Sequence, residues 1–420
     1  MSIHGPVTSW GDFVKGHRDK LKALGLLALG VALLALAWDS ATHSVDFPVY
    51  HRIATQILEG NYELYPTELY DGGVVPPHGF RYAPAIALLF VPFGLLPLEA
   101  AAFLFFGLKV AAFVYVGAFV ARYMGLPDRH RALMLMSLLF VGGYVVEEFR
   151  YGNFHFFSVA LMALAFDSAE RGKIAIPATA LGLAIAAKLT PIMLLGYFAL
   201  RRRVAVCVAT VGVLVVVWVF PSTVVGFRTN NHLVEGFAKY AVQKIDEEDN
   251  YALRGVLFKY LTPDHRQDPT YPNTSFAGLS ARTVVAIWVV IVVAGGLVLA
   301  VTLWPERPGP VIRLLEFSLI LTAMLLASPH TQRRYFTALY IPVLALLGLW
   351  LQTTPHGQGR AIRVGLIVTA AASTFLPLVF VGRRLSLAYE AFSPYFFATL
   401  VLFVALMLIT SRLKASKTES

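Results

Sequence analysis

Apolar residues run along this chain in long stretches separated by short polar or basic connections. The stretches fall near 22–40, 101–121, 132–149, 154–170, 174–188, 190–200, 204–221, 281–304, 313–328, 335–351, 364–382 and 392–411. They predict twelve candidate membrane-crossing helices, since a bilayer lets only segments with internally satisfied backbones cross it. The stretch Ala83–Pro97 is apolar too, but Pro84, Pro92, Gly94 and Pro97 interrupt it. At about 15 residues it is short of the roughly 20 that a spanning helix needs, and it reads as a re-entrant or interfacial element.

Composition agrees: 57% of residues are hydrophobic and 14% charged, against roughly 25% charged in soluble domains. The net charge of +10 does not point to nucleic acid, because the basic residues sit in short connections. With a cytoplasmic N-terminus behind Lys15, Arg18, Lys20 and Lys22, the inside loops hold Arg122, Arg129 and Arg131, then Arg171 and Lys173, Arg201–Arg203, Arg307 and Arg313, and Arg360 and Arg363. The tail with Arg412, Lys414 and Lys417 is inside as well, so the pattern is positive-inside. Counting Ala83–Pro97 as a span would invert everything after it. Ala35-Leu36-Ala37 resembles a signal-peptidase site, but the preceding apolar run is long for a signal peptide and reads as a retained helix. The expectation is an all-α polytopic protein of a bacterial plasma membrane, one domain over 1–420 with both termini cytoplasmic. Its first outer loop is 41–82, its second 222–280 and its cytoplasmic tail 412–420. The single Cys207 excludes an intrachain disulfide and a cysteine-based metal site.

The unusual polar residues collect in the outer loops, while the inner loops carry no phosphate-cradling glycine motif and no nucleotide fingerprint. Asp46, in Asp46-Phe47-Pro48-Val49-Tyr50, stands just past the first helix in a chain with only 25 acidic residues. Two roles fit it: a working carboxylate at the membrane surface, or the cap of a helix begun by Pro48.

An ordered series of short motifs follows: Gly60-Asn61-Tyr62-Glu63-Leu64-Tyr65, Phe80-Arg81-Tyr82-Ala83-Pro84, Tyr151-Gly152-Asn153, Lys188-Leu189-Thr190-Pro191, and Ser328-Pro329 leading to Tyr335. With Asp46–Tyr50 at its head, the series resembles glycosyltransferase family 87, a family of GT-C fold that includes polyprenyl-phosphate-mannose-dependent mannosyltransferases. The chain departs from the family pattern in having Ala83 where a proline is usual, in lacking a glutamine near Gly152-Asn153, and in reading Asn250-Tyr251-Ala252 where the family has Asn-Gln-Ser. These departures bear on the acceptor more than on the reaction class. The resemblance implies a sugar, mannose first, moved from a polyprenyl-phosphate donor to a lipid-linked or cell-envelope glycan on the outer face. It implies no cofactor, metal or nucleic acid.

The chemistry fits this placement. The phosphodiester is its own leaving group, so nucleotide is not needed. One carboxylate suffices as base for a single inverting displacement, whereas retention usually wants a second. The resemblance assigns that base to Asp46. The leaving phosphate needs cations or hydrogen-bond donors, for which Lys188, His330, Arg81, Arg333 and Arg334 are candidates. Tyr50, Tyr82, Asn153, Asn250 and Tyr335 are candidates for substrate contact.

Each residue also has a plainer reading. Lys188 could snorkel to the interface, although the runs on either side look too short to cross, which leaves it at membrane depth where a cation seeks an anion. His330 could be a helix-end histidine; as a phosphate ligand it would be neutral at working pH and gain charge toward its ordinary pKa near 6.5. One of Arg333 and Arg334 is expected to point to solvent or headgroups. Glu147, Glu148 and Arg150 are expected to form local surface pairs. Asp246–Asp249 reads as a solvated acidic loop, not a metal site. Arg383 and Arg384 break the positive-inside pattern and are expected to face anionic headgroups or acceptor. Tyr50, Tyr62, Tyr65, Tyr70 and Tyr82 read as an interfacial belt. The alternative function is a transporter or flippase of a lipid-linked sugar or other anionic lipid.

Overall fold

The computed structural model describes residues 18–65, 80–241, 249–263, 271–304, 306, 309–352, 359–374 and 378–416. Among them every regular element is helical. Helix α1 (Arg18–His43) is followed by α2 (Phe47–Leu58) and α3 (Pro84–Gly94). Helix α2 forms because apolar residues recur at helical spacing: Phe47, Tyr50, Ile53, Ala54 and Ile57 are all buried, with Pro48 in its first turn. It lies across α3, where a Cβ on Gly94 would come within 2.9 Å of the Ala54 backbone. Helix α3 has 11 residues and is roughly 16 Å long, too short for a hydrocarbon core of about 30 Å. The apolar stretch with the prolines is therefore a non-spanning helix, as its sequence predicts.

Six helices follow as a serpentine: α4 (Leu98–Tyr123), α5 (His130–Tyr151), α6 (His155–Glu170), α7 (Ala175–Ala187), α8 (Ile192–Leu200) and α9 (Val204–Val219). The second long outer loop is partly ordered into α10 (Phe227–Ala241) and α11 (Leu253–Leu261). Next come α12 (Ala281–Leu303), α13 (Pro310–Ala327), a 3-10 stretch Arg333–Leu339 continuing into α14 (Tyr340–Leu351), α15 (Gly359–Thr374), α16 (Leu378–Ala391) and α17 (Pro394–Ser416).

Among the described residues, eight helices are long and apolar enough to cross a membrane, against the twelve expected from the apolar runs. The other four apolar runs do form helices, but short ones: α6 has 16 residues, α7 has 13, α8 has 9 and α15 has 16. The run near 364–382 is helical up to Thr374, beyond which 375–377 lie outside the described residues, and Gly382, with φ of 75°, interrupts the helical path of α16.

The core lies around α13 and α14, where Phe166 stacks on Phe317 at 4.5 Å and Phe113 on Tyr340 at 4.2 Å between ring centroids. Helix α12 is peripheral and presents Val289, Val290, Val293, Leu297 and Val301 outward, as a lipid-facing helix does.

Contacts sort the connections into two ends. At one, Arg122 pairs with Asp167, Arg201 with Glu316, and Lys414 with Glu316. These are connections read as inside from their charge. At the other, Asp46 N–H donates to the Tyr151 carbonyl at 2.9 Å and Asn250 donates to the Pro329 carbonyl at 2.9 Å. The loops read as outer thus gather at a single end.

Candidate active site

Asp46 sits directly before α2, yet its side chain makes no capping hydrogen bond. Its Oδ2 instead accepts from Asn153 Nδ2 at 2.7 Å and lies 3.6 Å from Arg334 Nε. The cap reading is therefore set aside: the backbone carbonyl of Asp46 starts the helix, and the carboxylate is aimed elsewhere. Local sequence explains the aim. Gly152 has φ of 66° and a missing Cβ that would otherwise meet Phe47 Cβ at 2.8 Å, so the turn after α5 presses against the start of α2. That contact lets Asp46 N–H reach the Tyr151 carbonyl. Asn153 is buried, and its Oδ1 accepts from the His155 backbone N–H at 2.8 Å, which orients its amide toward Asp46.

Arg334 connects Asp46 to the rest of the site. Its guanidinium lies over Tyr151 at 4.7 Å and over Tyr335 at 5.7 Å from the ring centroids. Lys188 stands on the Tyr335 ring, 3.2 Å from its centroid. Among the described residues it has no carboxylate partner. It hangs at the turn between α7 and α8, two helices too short to cross, as the sequence suggests. A small cavity beside it is lined by His155, Met162, Lys188, Leu321, Met324 and Ser328, among others. Asp46 and His330 do not line this cavity.

His330 lies in the loop between α13 and the 3-10 stretch, where the Ser328 hydroxyl donates to its carbonyl at 2.7 Å. Its Nε2 is buried without a hydrogen-bond partner among the described residues. Burial first, then the positive charges of Lys188, Arg81, Arg334 and Arg254, push its pKa down to about 3. Burial and these charges favour the neutral ring, against the expectation that it gains charge near pH 6.5. Arg81 is exposed on the surface side of this group. Arg254 on α11, whose guanidinium lies 5.0 Å from the Phe258 ring, was not singled out from sequence.

A model described as Glycosyltransferase family 87 matches residues 80–329. The chain belongs to glycosyltransferase family 87. The match takes in Asn153, Lys188 and Asn250 and begins after Asp46. Over 208 residues the chain is 34% identical to a polyprenol-phosphate-mannose-dependent alpha-(1-2)-phosphatidylinositol mannoside mannosyltransferase of Mycobacterium tuberculosis, covering 44% of this chain and 47% of that one. Over 207 residues it is 31% identical to a polyprenol-phosphate-mannose-dependent alpha-(1-2)-phosphatidylinositol pentamannoside mannosyltransferase of Mycolicibacterium smegmatis, covering 46% and 50%. The chain spans about half the length of the curated relatives it matches. The crystal structure of ArnT from Cupriavidus metallidurans in the apo state aligns over 93% of this chain and 78% of that one, at a TM-score of 0.41 and 16% identity.

Within this family-87 chain, the remaining candidates divide. Tyr50 and Tyr82 join hydroxyls at 3.0 Å, and Tyr65 donates to the Tyr82 carbonyl at 2.5 Å. Tyr50 also packs on Phe90 at 4.6 Å. Tyr50, Tyr65 and Tyr82 each pack against Phe80 in an aromatic cluster; Tyr70 lies outside the described residues. Asn250 is fully buried, and its amide joins two loops: Nδ2 donates to Pro329, while Oδ1 accepts from Ala252 and Thr331. Arg333 does not join the cations around His330. It pairs with Glu147 at 2.7 Å and Glu390 at 3.6 Å, so neither arginine of the pair points to solvent.

Glu148 also departs from expectation. It is fully buried against Lys109, Nζ to Oε1 3.4 Å, while Arg150 reaches back to Asp39 at 2.9 Å. The local surface pairs expected of Glu147, Glu148 and Arg150 do not form. Asp249 accepts from Gln332 at 2.9 Å; Asp246, Glu247 and Glu248 lie outside the described residues. Arg384 is exposed. His155 was missed as well: its ring packs on Tyr335 at 4.7 Å, with Nε2 at 3.0 Å from the Tyr335 carbonyl. Its only sequence signal is its place two residues after Asn153.

Proposed function

We propose that this protein transfers mannose from a polyprenol-phosphate-mannose donor to a hydroxyl of a glycolipid or lipid-linked glycan, using a GT-C architecture whose site faces the outer side. The donor class and the glycolipid acceptor follow what the two mycobacterial relatives are named for. The observation that carries the reading is the placement of Asp46: its carboxylate is released from capping, held by Asn153, and lies beside Arg334, one of the cations that act on His330. The orientation rests on the basic connections gathered at the opposite end of the bundle.

In this reading Asp46 takes the proton from the acceptor hydroxyl as that oxygen attacks the sugar's anomeric carbon. The bond from that carbon to the phosphate oxygen breaks, and its electron pair leaves with polyprenyl phosphate. Lys188, Arg81 and Arg334 offset the charge that develops on the phosphate, and neutral His330 supplies a hydrogen bond. Lys188, on an aromatic face and with no carboxylate partner among the described residues, has its pKa lowered to about 7 by burial and then by Arg334, so a phosphate arriving with the lipid would favour its charged form. Tyr335 sets its position. A single carboxylate at the reacting centre fits one displacement with inversion.

The test is purified protein in detergent with polyprenyl-phosphate mannose and a labelled phosphatidylinositol mannoside. Product formed without a sealed membrane supports a transferase. Absence of product, together with donor movement across proteoliposomes, would favour the flippase alternative.

A further inference from the structure

Lys109 and Glu148 are a charged pair inside the bundle, with side chains 1% and 0% exposed, and they touch neither donor-side cations nor Asp46 directly. From these contacts we infer that the pair positions the catalytic carboxylate by fixing the turn between α5 and α6; this rests on Asp46 being the base.

The chain of contacts is continuous. Lys109 Nζ on α4 donates to the Glu148 carbonyl at 2.6 Å and pairs with its Oε1. Oε1 also accepts the backbone N–H of Phe156, in the first turn of α6, at 3.0 Å. One carboxylate oxygen thus ties the last turn of α5 to the first turn of α6 across the intervening Tyr151-Gly152-Asn153. That short segment supplies both groups that hold Asp46: the Tyr151 carbonyl for its N–H and the Asn153 amide for its carboxylate. The Ser40 hydroxyl, bonded to the Phe149 carbonyl at 2.9 Å, anchors α1 to the same turn. Lys109 also lies 4.8 Å from the centre of the Phe149 ring.

Energetics favour positioning over stability as the reason for the pair. Replacing a buried ion pair by apolar residues of similar volume is often neutral or stabilising, so a buried pair that survives at membrane depth asks for another role. The specific contribution of Glu148 is an acceptor for the Phe156 N–H, which an apolar side chain cannot supply.

Two double variants isolate that contribution. Lys109→Met with Glu148→Gln is uncharged and keeps an acceptor at the Glu148 position; Lys109→Met with Glu148→Leu is uncharged and lacks one. The glutamine double variant should keep kcat within a few-fold of wild type. The leucine double variant should lose roughly tenfold to a hundredfold in kcat per folded molecule, with KM for donor and acceptor unchanged. Hydrogen exchange of residues 44–50 and 153–157 should rise in the leucine double variant only. Equal kcat and equal exchange in the two doubles, or an activity loss accounted for wholly by unfolded protein, would overturn the inference. If wild-type protein makes no product, the function reading fails; the exchange difference still decides whether the pair holds the Asp46 turn.

Discussion

Glu316 and Asp46 are carboxylates at opposite ends of the same bundle, and their surroundings differ in kind. Glu316 is fully buried and meets Arg201, Lys414 at 2.7 Å and the Tyr197 hydroxyl at 3.0 Å. Arg201 and Lys414 also donate to the Leu303 carbonyl, which closes the C-terminus of α12. Asp167 at that end is likewise held by Arg122 and Arg171. Asp46 has one amide donor and one guanidinium, and nearby Lys188 rests on the Tyr335 ring. The difference teaches that one end ties its buried carboxylates to cations that close the fold, whereas at the other Lys188 rests on a tyrosine ring with no carboxylate pairing among the described residues.

The largest expected effect breaks the Asp46 end. Asp46→Asn retains size and leaves the backbone contacts of α2 in place, but it cannot take a proton. Transfer should fall by roughly 10²–10⁴-fold with the melting temperature unchanged. Activity within a few-fold of wild type would remove Asp46 as base.

The closed end should respond in the opposite way. Glu316→Leu leaves Arg201 and Lys414 buried without their carboxylate, at a cost of about 3–5 kcal/mol read by denaturation, while kcat per folded molecule stays as in wild type. A kinetic defect in folded protein would mean that the two ends are not independent.

Lys188→Ala tests that difference itself. Removing a cation that meets the phosphate before and during departure should weaken donor binding and lower turnover together, by roughly 10²-fold in kcat/KM. Because no carboxylate among the described residues pairs with Lys188, its loss strands no such buried anion, and stability should change little. Unchanged donor binding would place the phosphate elsewhere.

Much of this contrast was legible in the sequence. The spans, the basic loops at one end, and the ordered motifs from Asp46 to Tyr335 stood out because polar residues interrupt long apolar runs. Lys188 at depth could be read from the shortness of its flanking runs. The partners could not be read. Lys109 and Glu148, or Arg201 and Glu316, lie 39 and 115 residues apart, and periodicity says only that a charge inside an apolar helix needs a partner, not which one. The gap between twelve apolar runs and eight described helices of spanning length has a related cause: an apolar run of 9 residues such as α8 has the composition of a crossing helix but not its length. Interfacial and core aromatics share one composition, so the packing of Tyr50 on Phe90 could not be read from the sequence.

The smallest effect concerns His330 and is read by pH. Its folded pKa, about 3, lies below the unfolded value near 6.5 because burial and the cations around it disfavour the imidazolium. Between those values the unfolded chain binds a proton that the folded chain does not, so stability rises with pH across that window. Its contribution is complete above pH 6.5 and is lost progressively as pH falls toward 3. His330→Gln keeps a hydrogen-bonding side chain and removes the titration. Wild-type protein should therefore lose more melting temperature between pH 7 and pH 5 than His330→Gln does, and its turnover should show no step at pH 6.5 that the variant lacks. Identical melting curves for the two proteins across that range would mean that His330 does not stay neutral among the cations, and the Asp46 end would then hold one more charge than its geometry indicates.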